Sequence, residues 1–139
     1  IADMDISKEP LGSDGEQIAG LYSIHFPYDS ASLPNSEQEL LVKNADWLRA
    51  HPSLTLQIEG HCDRHGSIEY NLSLGERRAK YVKNYLVNLG VATNRLSTIS
   101  YGKEKLLDVS ETQAADTKNR RANMRPIGSA NIGPMTFNK

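Results

Sequence analysis

A chain of 139 residues with 16 lysines and arginines, 17 acids, a formal charge of −1 and one cysteine is a single domain with some trailing sequence, long enough to bury about two-thirds of its unfolded surface. No basic run or aromatic–basic interleaving offers a footprint for nucleic acid, and no apolar stretch approaches the roughly 18 residues that span a bilayer. Cys62 stands alone and so excludes an internal disulfide, and the polar opening carries no signal-peptide pattern, as in a mature or trimmed chain.

Residues 1–20 are polar, with Pro10, Gly12, Gly15 and Gly20 scattered among acids, and read as a linker or N-terminal arm. Alternation begins at Tyr22: Tyr22, Ile24 and Phe26 face one way, Ser23 and His25 the other. That first short strand ends at Pro27 and the Asp29-Ser30 turn. Ser36, with Glu39 three residues on, forms a capping box for a helix whose inward stripe is Leu41, Ala45 and Leu48, with Leu40 and Trp47 beside it. His51-Pro52 closes the helix, because proline disfavours helical geometry before it. Leu54, Leu56 and Ile58 then alternate with Thr55, Gln57 and Glu59, a strand with one apolar and one wet face.

A long helix follows, starting at Ser67 or at Ser73, the latter with Glu76 as its capping-box partner. Its core stripe is Ala79, Val82, Leu86 and Leu89, and Gly90 stops it. Leu96 to Tyr101 makes a third strand, Lys103 to Gln113 a loop, and Ala114 to Asn119 a short helix. Arg121 to Ile127 is a weaker final strand, cut off near Pro126. The order is β-α-β-α-β, short α, β, and helical crossovers imply parallel pairs. The half-wet strand at 54–59 places the helices on one sheet face, giving an α+β two-layer sandwich. The domain spans residues 21–128, between the arm at 1–20 and a loose tail at 129–139.

The segment from Gly60 to Ala79 carries the functional signal. A strand ends at Gly60, the loop after it carries Asp63, and the following helix carries Arg78. Ligands dock where loops leave a sheet. A carboxylate accepts from an ammonium and a guanidinium fork matches a carboxylate, so the joint can grip a ligand that carries both charges. No nucleophile is paired with a base and no Gly-x-Ser-x-Gly elbow occurs, so this is a binding site, with nothing that calls for a cofactor. Leu74 and Tyr81 lie on Arg78's side of the helix and would bed it, while Arg77 points about 100° away. The Tyr28-Asp29-Ser30 turn would form the opposite wall of the crevice, and the basic cluster Lys118-Asn119-Arg120-Arg121 would border it. Two alternatives stay open. Asp63 and Arg78 could pair only with each other, a structural clamp in a protein-interaction module. Otherwise His61, Cys62 and His65, with His25 as a fourth ligand, would hold zinc for a hydrolase, although the two flanking histidines sit in a loop and not on a helix.

Five ordered blocks carry a resemblance: Phe26-Pro27-Tyr28-Asp29, Ile58-Glu59-Gly60-His61-Cys62-Asp63, Tyr70-Asn71-Leu72-Ser73-Leu74-Gly75-Glu76-Arg77-Arg78-Ala79, Ser100-Tyr101-Gly102-Lys103-Glu104-Lys105 and Lys118-Asn119-Arg120-Arg121-Ala122. From about Ile24 to Ile127 the chain resembles the OmpA-like peptidoglycan-binding domain family, with wording closest to its peptidoglycan-associated lipoprotein (Pal) branch. The resemblance implies a mixed four-stranded sheet of order 1-4-2-3, antiparallel around the last strand. It implies non-covalent binding of the peptidoglycan stem peptide through meso-diaminopimelate, tethering the outer membrane or an envelope protein to the wall from the periplasm of a Gram-negative bacterium. Membrane attachment would come through an upstream anchor. In that family the acid of the Gly-x-x-Asp turn and the second arginine of Arg-Arg-Ala hold the zwitterion; these match Asp63 and Arg78. Asn71 and Leu74 match the helix-start residues that shape the pocket, and Asp29 and Ser30 the loop that closes it. Asp63-Arg64-His65-Gly66 departs from the Asp-Glu-Arg-Gly of the Pal branch, whose glutamate also meets the translocation protein TolB. Tol-system proteins are therefore the weaker expectation as partners. The metal alternative becomes, in this setting, a cell-wall hydrolase using His61, His65 and Cys62.

Overall fold

The computed structural model describes residues 12–15 and 18–128. Its elements are β1 (Ile24–His25), α1 (Asn35–Ala50), β2 (Thr55–His61), α2 (Ile68–Asn88), β3 (Leu96–Gly102), α3 (Gln113–Asn119) and β4 (Arg121–Ile127), with short 3-10 turns at Gly12–Gly15 and Thr93–Arg95. The sheet order is β1-β4-β2-β3; β2 and β3 run parallel, and β4 lies antiparallel to both its neighbours. Leu56 and Ile58 of β2 and Ala122 and Met124 of β4 share one core with Leu41, Ala45 and Leu48 of α1 and Ala79, Val82 and Leu86 of α2. This is the α+β two-layer arrangement of the sequence reading, with α1 and α2 on one face of a mixed sheet.

Element ends differ from the sequence reading where a side chain captures a backbone group. The Ser67 hydroxyl accepts the Tyr70 N–H at 3.0 Å, so α2 starts after Ser67 and Ser73 lies within the helix. No box forms at Ser36 and Glu39, because α1 begins one residue earlier, at Asn35, behind Pro34. Glu37 instead accepts the His25 N–H at 2.8 Å. β1 is only two residues long because Asn44, buried in α1, takes both backbone groups of Tyr22, at 2.7 and 2.9 Å. Tyr22 consequently turns outward, 38% exposed, and does not join Ile24 and Phe26 in the core. β4 is a central strand that runs through Pro126, which pairs with Leu56. Met124 N–H points away from β2 to Ser13 Oγ, at 2.8 Å. Strand alternation puts the Pro126 nitrogen on that same outer side, where no ladder bond is lost.

The sheet face expected to be wet is covered. Gly12 and Ser13 are buried against β4, and the Asp14 carboxylate meets Arg121 Nε at 3.1 Å in an almost fully buried pair. Ser13 Oγ and Asp14 N–H both donate to Asn123 Oδ1, at 3.1 and 2.8 Å. Glu59 lies beneath, accepting from Asn123 at 3.0 Å and facing His61 and Arg125 at 3.4 Å each. Residues 12–15 and Ile18, also buried, therefore belong to the folded domain. They read as a linker because their polar side chains complement a buried polar face and not an apolar one. The expectations for residues 1–11, 16–17 and 129–139 lie outside the described residues.

His25 and His61 give this face a pH dependence. Burial holds both below the ordinary histidine value of 6.5, outweighing the acids near them. His61 is 2% exposed, and its Nδ1 has no hydrogen-bond partner among the described residues. As pH falls below 6.5 the unfolded chain takes up protons that the folded chain resists, so stability drops toward the lower folded values and levels off beneath them. The urea midpoint should fall between about pH 7.5 and 5.5, and the double variant His25→Gln/His61→Gln should flatten that slope. An unchanged slope in the double variant would exclude these histidines as its source.

Candidate functional site

Four segments meet at the β2–α2 joint. The β1–α1 loop brings Tyr28 and Asp29, and the β2–α2 loop brings Cys62, Asp63, His65 and Gly66. The first turns of α2 bring Tyr70, Asn71, Leu74 and Arg78. With Arg120, which directly precedes β4, they line a cavity of about 140 Å³.

Asp63 is 4% exposed. Its Oδ1 accepts the His65 N–H at 2.9 Å and faces His65 Nδ1 at 3.2 Å, while Oδ2 accepts from Arg120 Nη1 at 3.2 Å. Burial pushes the carboxyl up, but the bonds from His65 and Arg120 outweigh it and hold the group below the usual aspartate value. It is therefore an anion at neutral pH.

Arg78 is fully buried. Nε donates to Ser30 O at 2.8 Å, Nη1 to His61 O at 3.0 Å and Nη2 to Pro27 O at 3.0 Å. The guanidinium lies over the Phe26 ring, 5.2 Å from its centre. Phe26 thus takes the bedding role expected of Tyr81, which stacks instead with Tyr85 at 6.3 Å. Among the described residues no hydrogen bond links Asp63 to Arg78. The closed clamp between these two does not form, because Arg120 takes the acid and backbone carbonyls take the arginine.

The remaining expected site residues build the frame. Asn71 Nδ2 donates to His65 O at 2.7 Å and Ser67 O at 2.8 Å, pinning the β2–α2 loop onto the helix start. Leu74, 3% exposed, is part of the apolar wall. Asp29 holds a left-handed backbone, φ 53°, which aspartate tolerates better than most residues, and accepts the Tyr70 hydroxyl proton across the rim. Ser30 does not line the cavity; it contributes its carbonyl to Arg78. Sequence reasoning missed Cys62, His65, Gly66 and Tyr70 as lining residues, and only the Lys118–Arg121 basic cluster pointed toward Arg120.

The zinc set does not converge. His61 stacks on Tyr101 at 5.4 Å on the sheet face that carries Glu59, while Cys62 Sγ donates to Asn71 O at 3.3 Å. Burial pushes the Cys62 thiol up, away from the thiolate form that metals and nucleophilic chemistry need. Asp63, His65 and Asp116 do cluster. However, Arg64 binds both oxygens of Asp116, at 3.0 and 3.3 Å, and Arg120 holds Asp63, so two guanidiniums already supply the positive charge.

The fold is a mixed-sheet α+β scaffold with a cavity lined by one carboxylate and two guanidinium side chains at the β2–α2 joint. Residues 25–120 match the OmpA family, and the chain belongs to that family. It is 43% identical over 99 residues to a peptidoglycan-associated lipoprotein of Brucella melitensis biotype 1, covering 71% of this chain and 59% of that protein. The chain thus spans about three-fifths of that relative's length. The crystal structure of the peptidoglycan-associated lipoprotein from Burkholderia pseudomallei matches with a TM-score of 0.72 at 37% identity, over 76% of this chain and 89% of that one. The C-terminal domain of Helicobacter pylori MotB, at 22% identity, shares the fold with a TM-score of 0.75 over 81% and 88% of the two chains.

Proposed function

We propose that this domain binds peptidoglycan without making or breaking a bond, taking the meso-diaminopimelate side chain of a stem peptide and so tethering an envelope protein or the outer membrane to the wall from the periplasm. The observation that carries this reading is the convergence of the Asp63 carboxylate and the Arg78 and Arg120 guanidiniums on one cavity. Relatives named for their association with peptidoglycan support the same ligand. At about 140 Å³ the cavity is well below the roughly 300–1,000 Å³ of pockets that enclose drug-sized ligands. It accommodates one amino-acid head group and leaves peptide and glycan outside. Diaminopimelate ends in an ammonium and a carboxylate on one carbon, so an anion and a cation fixed side by side suit both charges. Lysine brings the ammonium alone.

Among the described residues no helix is long and apolar enough to cross a membrane. Asp63→Asn tests the site with little change of shape. Co-sedimentation with purified diaminopimelate-type sacculi should weaken about tenfold or more, the worth of one shielded charge-assisted bond. Undiminished sedimentation would remove Asp63 from the site.

A further inference from the structure

We infer that Arg64 and Asp116, which stand outside the cavity, are positioning residues for wall binding: by pairing with each other they leave His65 to Asp63 and keep that carboxylate aimed at the ammonium of the bound head group. The inference rests on the wall-binding reading and concerns how the anion of that site is held.

Two buried carboxylates lie close together beneath the β2–α2 loop. Asp63 and Asp116 are each 4% exposed, and their oxygens and a His65 ring nitrogen fall within 4.8 Å of one another. Asp116 belongs to α3 and Asp63 to the loop after β2, so tertiary packing brings them together. Buried anions at that spacing repel unless each has a cation of its own. Arg120 serves Asp63, with Nη1 3.2 Å from Oδ2. Arg64 serves Asp116 through two bonds, Nε to Oδ1 at 3.0 Å and Nη2 to Oδ2 at 3.3 Å. Such a fork fixes direction as well as charge, and it ties the residue next to Asp63 onto α3.

His65 stands between the two acids. Its Nδ1 is 3.2 Å from Asp63 Oδ1 and 3.8 Å from Asp116 Oδ2. That nitrogen has one proton to give, and the pairing of Asp116 decides which acid receives it. While Arg64 occupies both oxygens of Asp116, the proton goes to Asp63, whose Oδ1 also accepts the His65 N–H at 2.9 Å. Without Arg64, Asp116 becomes a buried anion whose nearest donor among the described residues is His65 Nδ1. Turning the ring to satisfy it takes one bond from Asp63 and leaves an uncompensated anion beside it. Both changes push the Asp63 carboxyl up. Both also loosen the acceptor that the ammonium needs held in one direction. Removing the two partners together is milder, because no unpaired charge is left behind.

The test is titration calorimetry of the full chain with a stem tripeptide ending in diaminopimelate, at neutral pH and along an acid series. Arg64→Gln should lower affinity about tenfold, the worth of one charge-assisted bond. The pH below which binding fades should move upward in that variant, because Asp63 then takes up its proton sooner. Arg64→Lys should keep most of the affinity, since a point charge still compensates Asp116. The double variant Arg64→Gln/Asp116→Asn should return to within about threefold of the unaltered chain and restore its acid limb, a non-additivity expected of coupled groups. A merely structural role predicts the reverse, a double variant at least as weak as the single one. That result overturns the inference, and so does an Arg64→Gln chain with unchanged affinity or an unmoved acid limb. Failure of the unaltered chain to bind the peptide would instead overturn the wall-binding reading itself.

Discussion

Replacing Arg78 with methionine should cost the domain about 3–5 kcal/mol of folding stability and abolish wall binding with it. Three carbonyls, those of Pro27, Ser30 and His61, receive their charged donors from this one side chain. Methionine fills much of the volume but donates nothing, and a buried acceptor left unsatisfied costs about 1–3 kcal/mol. Some relaxation and entry of water hold the sum below three full penalties. The contact with the Phe26 ring also disappears. In a domain of this size the thermal midpoint should drop by more than about 10 °C. Arg77→Met is the internal control: Arg77 is exposed on the same helix turn, and its loss should stay within about 0.5 kcal/mol. Urea titration of the two variants checks the difference. Equal midpoints would mean that the carbonyl bonds of Arg78 carry no net stability.

The burial of Arg78 was in principle readable from the helix. Asn71, Leu74, Gly75, Arg78, Ala79, Val82 and Leu86 are the buried residues of α2, and they follow one helical stripe. The stripe read from Ala79 onward stops one residue short of seeing that Arg78 lies on it. A charged side chain at a core position must be bonded by the protein itself, so its spacing called for the carbonyl partners that the structure supplies. Local patterns also marked β2, α2 and the turn that carries Asp63, because alternation and helical period are properties of neighbouring residues. Three features were beyond reach for one shared reason. The place of β4 between β1 and β2, the grip of Arg120 on Asp63 and the docking of Ser13 and Asp14 on β4 all join residues distant in sequence. The sheet order came from family resemblance and not from residue pattern. Asp14, read as part of a polar arm, and Arg121, read as part of a basic cluster beside the crevice, gave no sign of one another, yet together they form a buried pair.

Gly60→Ala should be the most damaging single-methyl substitution in the domain, with a loss of about 3 kcal/mol or more and no folded binding site left to assay. β2 and α2 cross at Gly60 and Gly75. A Cβ on Gly60 would overlap the carbonyl of Gly75, which is helix backbone and has no rotamer to yield. The strand and helix would have to separate, and α2 carries Asn71, Leu74 and Arg78 away from Asp63 as it moves. The usual gain of about 0.4–1 kcal/mol from restricting an unfolded glycine is too small to compensate. The opposite side of the crossing behaves differently. A Cβ on Gly75 meets the Ser100 hydroxyl, a side chain that can turn aside, and lies 3.0 Å from Gly60 O. Helix propensity favours alanine over glycine there by about 1 kcal/mol. Gly75→Ala should therefore be mildly destabilising, and Gly75→Ala/Ser100→Ala similar to it, because removing the hydroxyl opens the space the methyl needs but also takes away the acceptor of the Gly102 N–H, at 3.2 Å. Denaturant midpoints of the three variants separate backbone obstruction from side-chain obstruction. A Gly60→Ala domain as stable as Gly75→Ala would show that strand and helix do not touch as closely as this crossing requires, and the cavity built on that crossing would lose its footing.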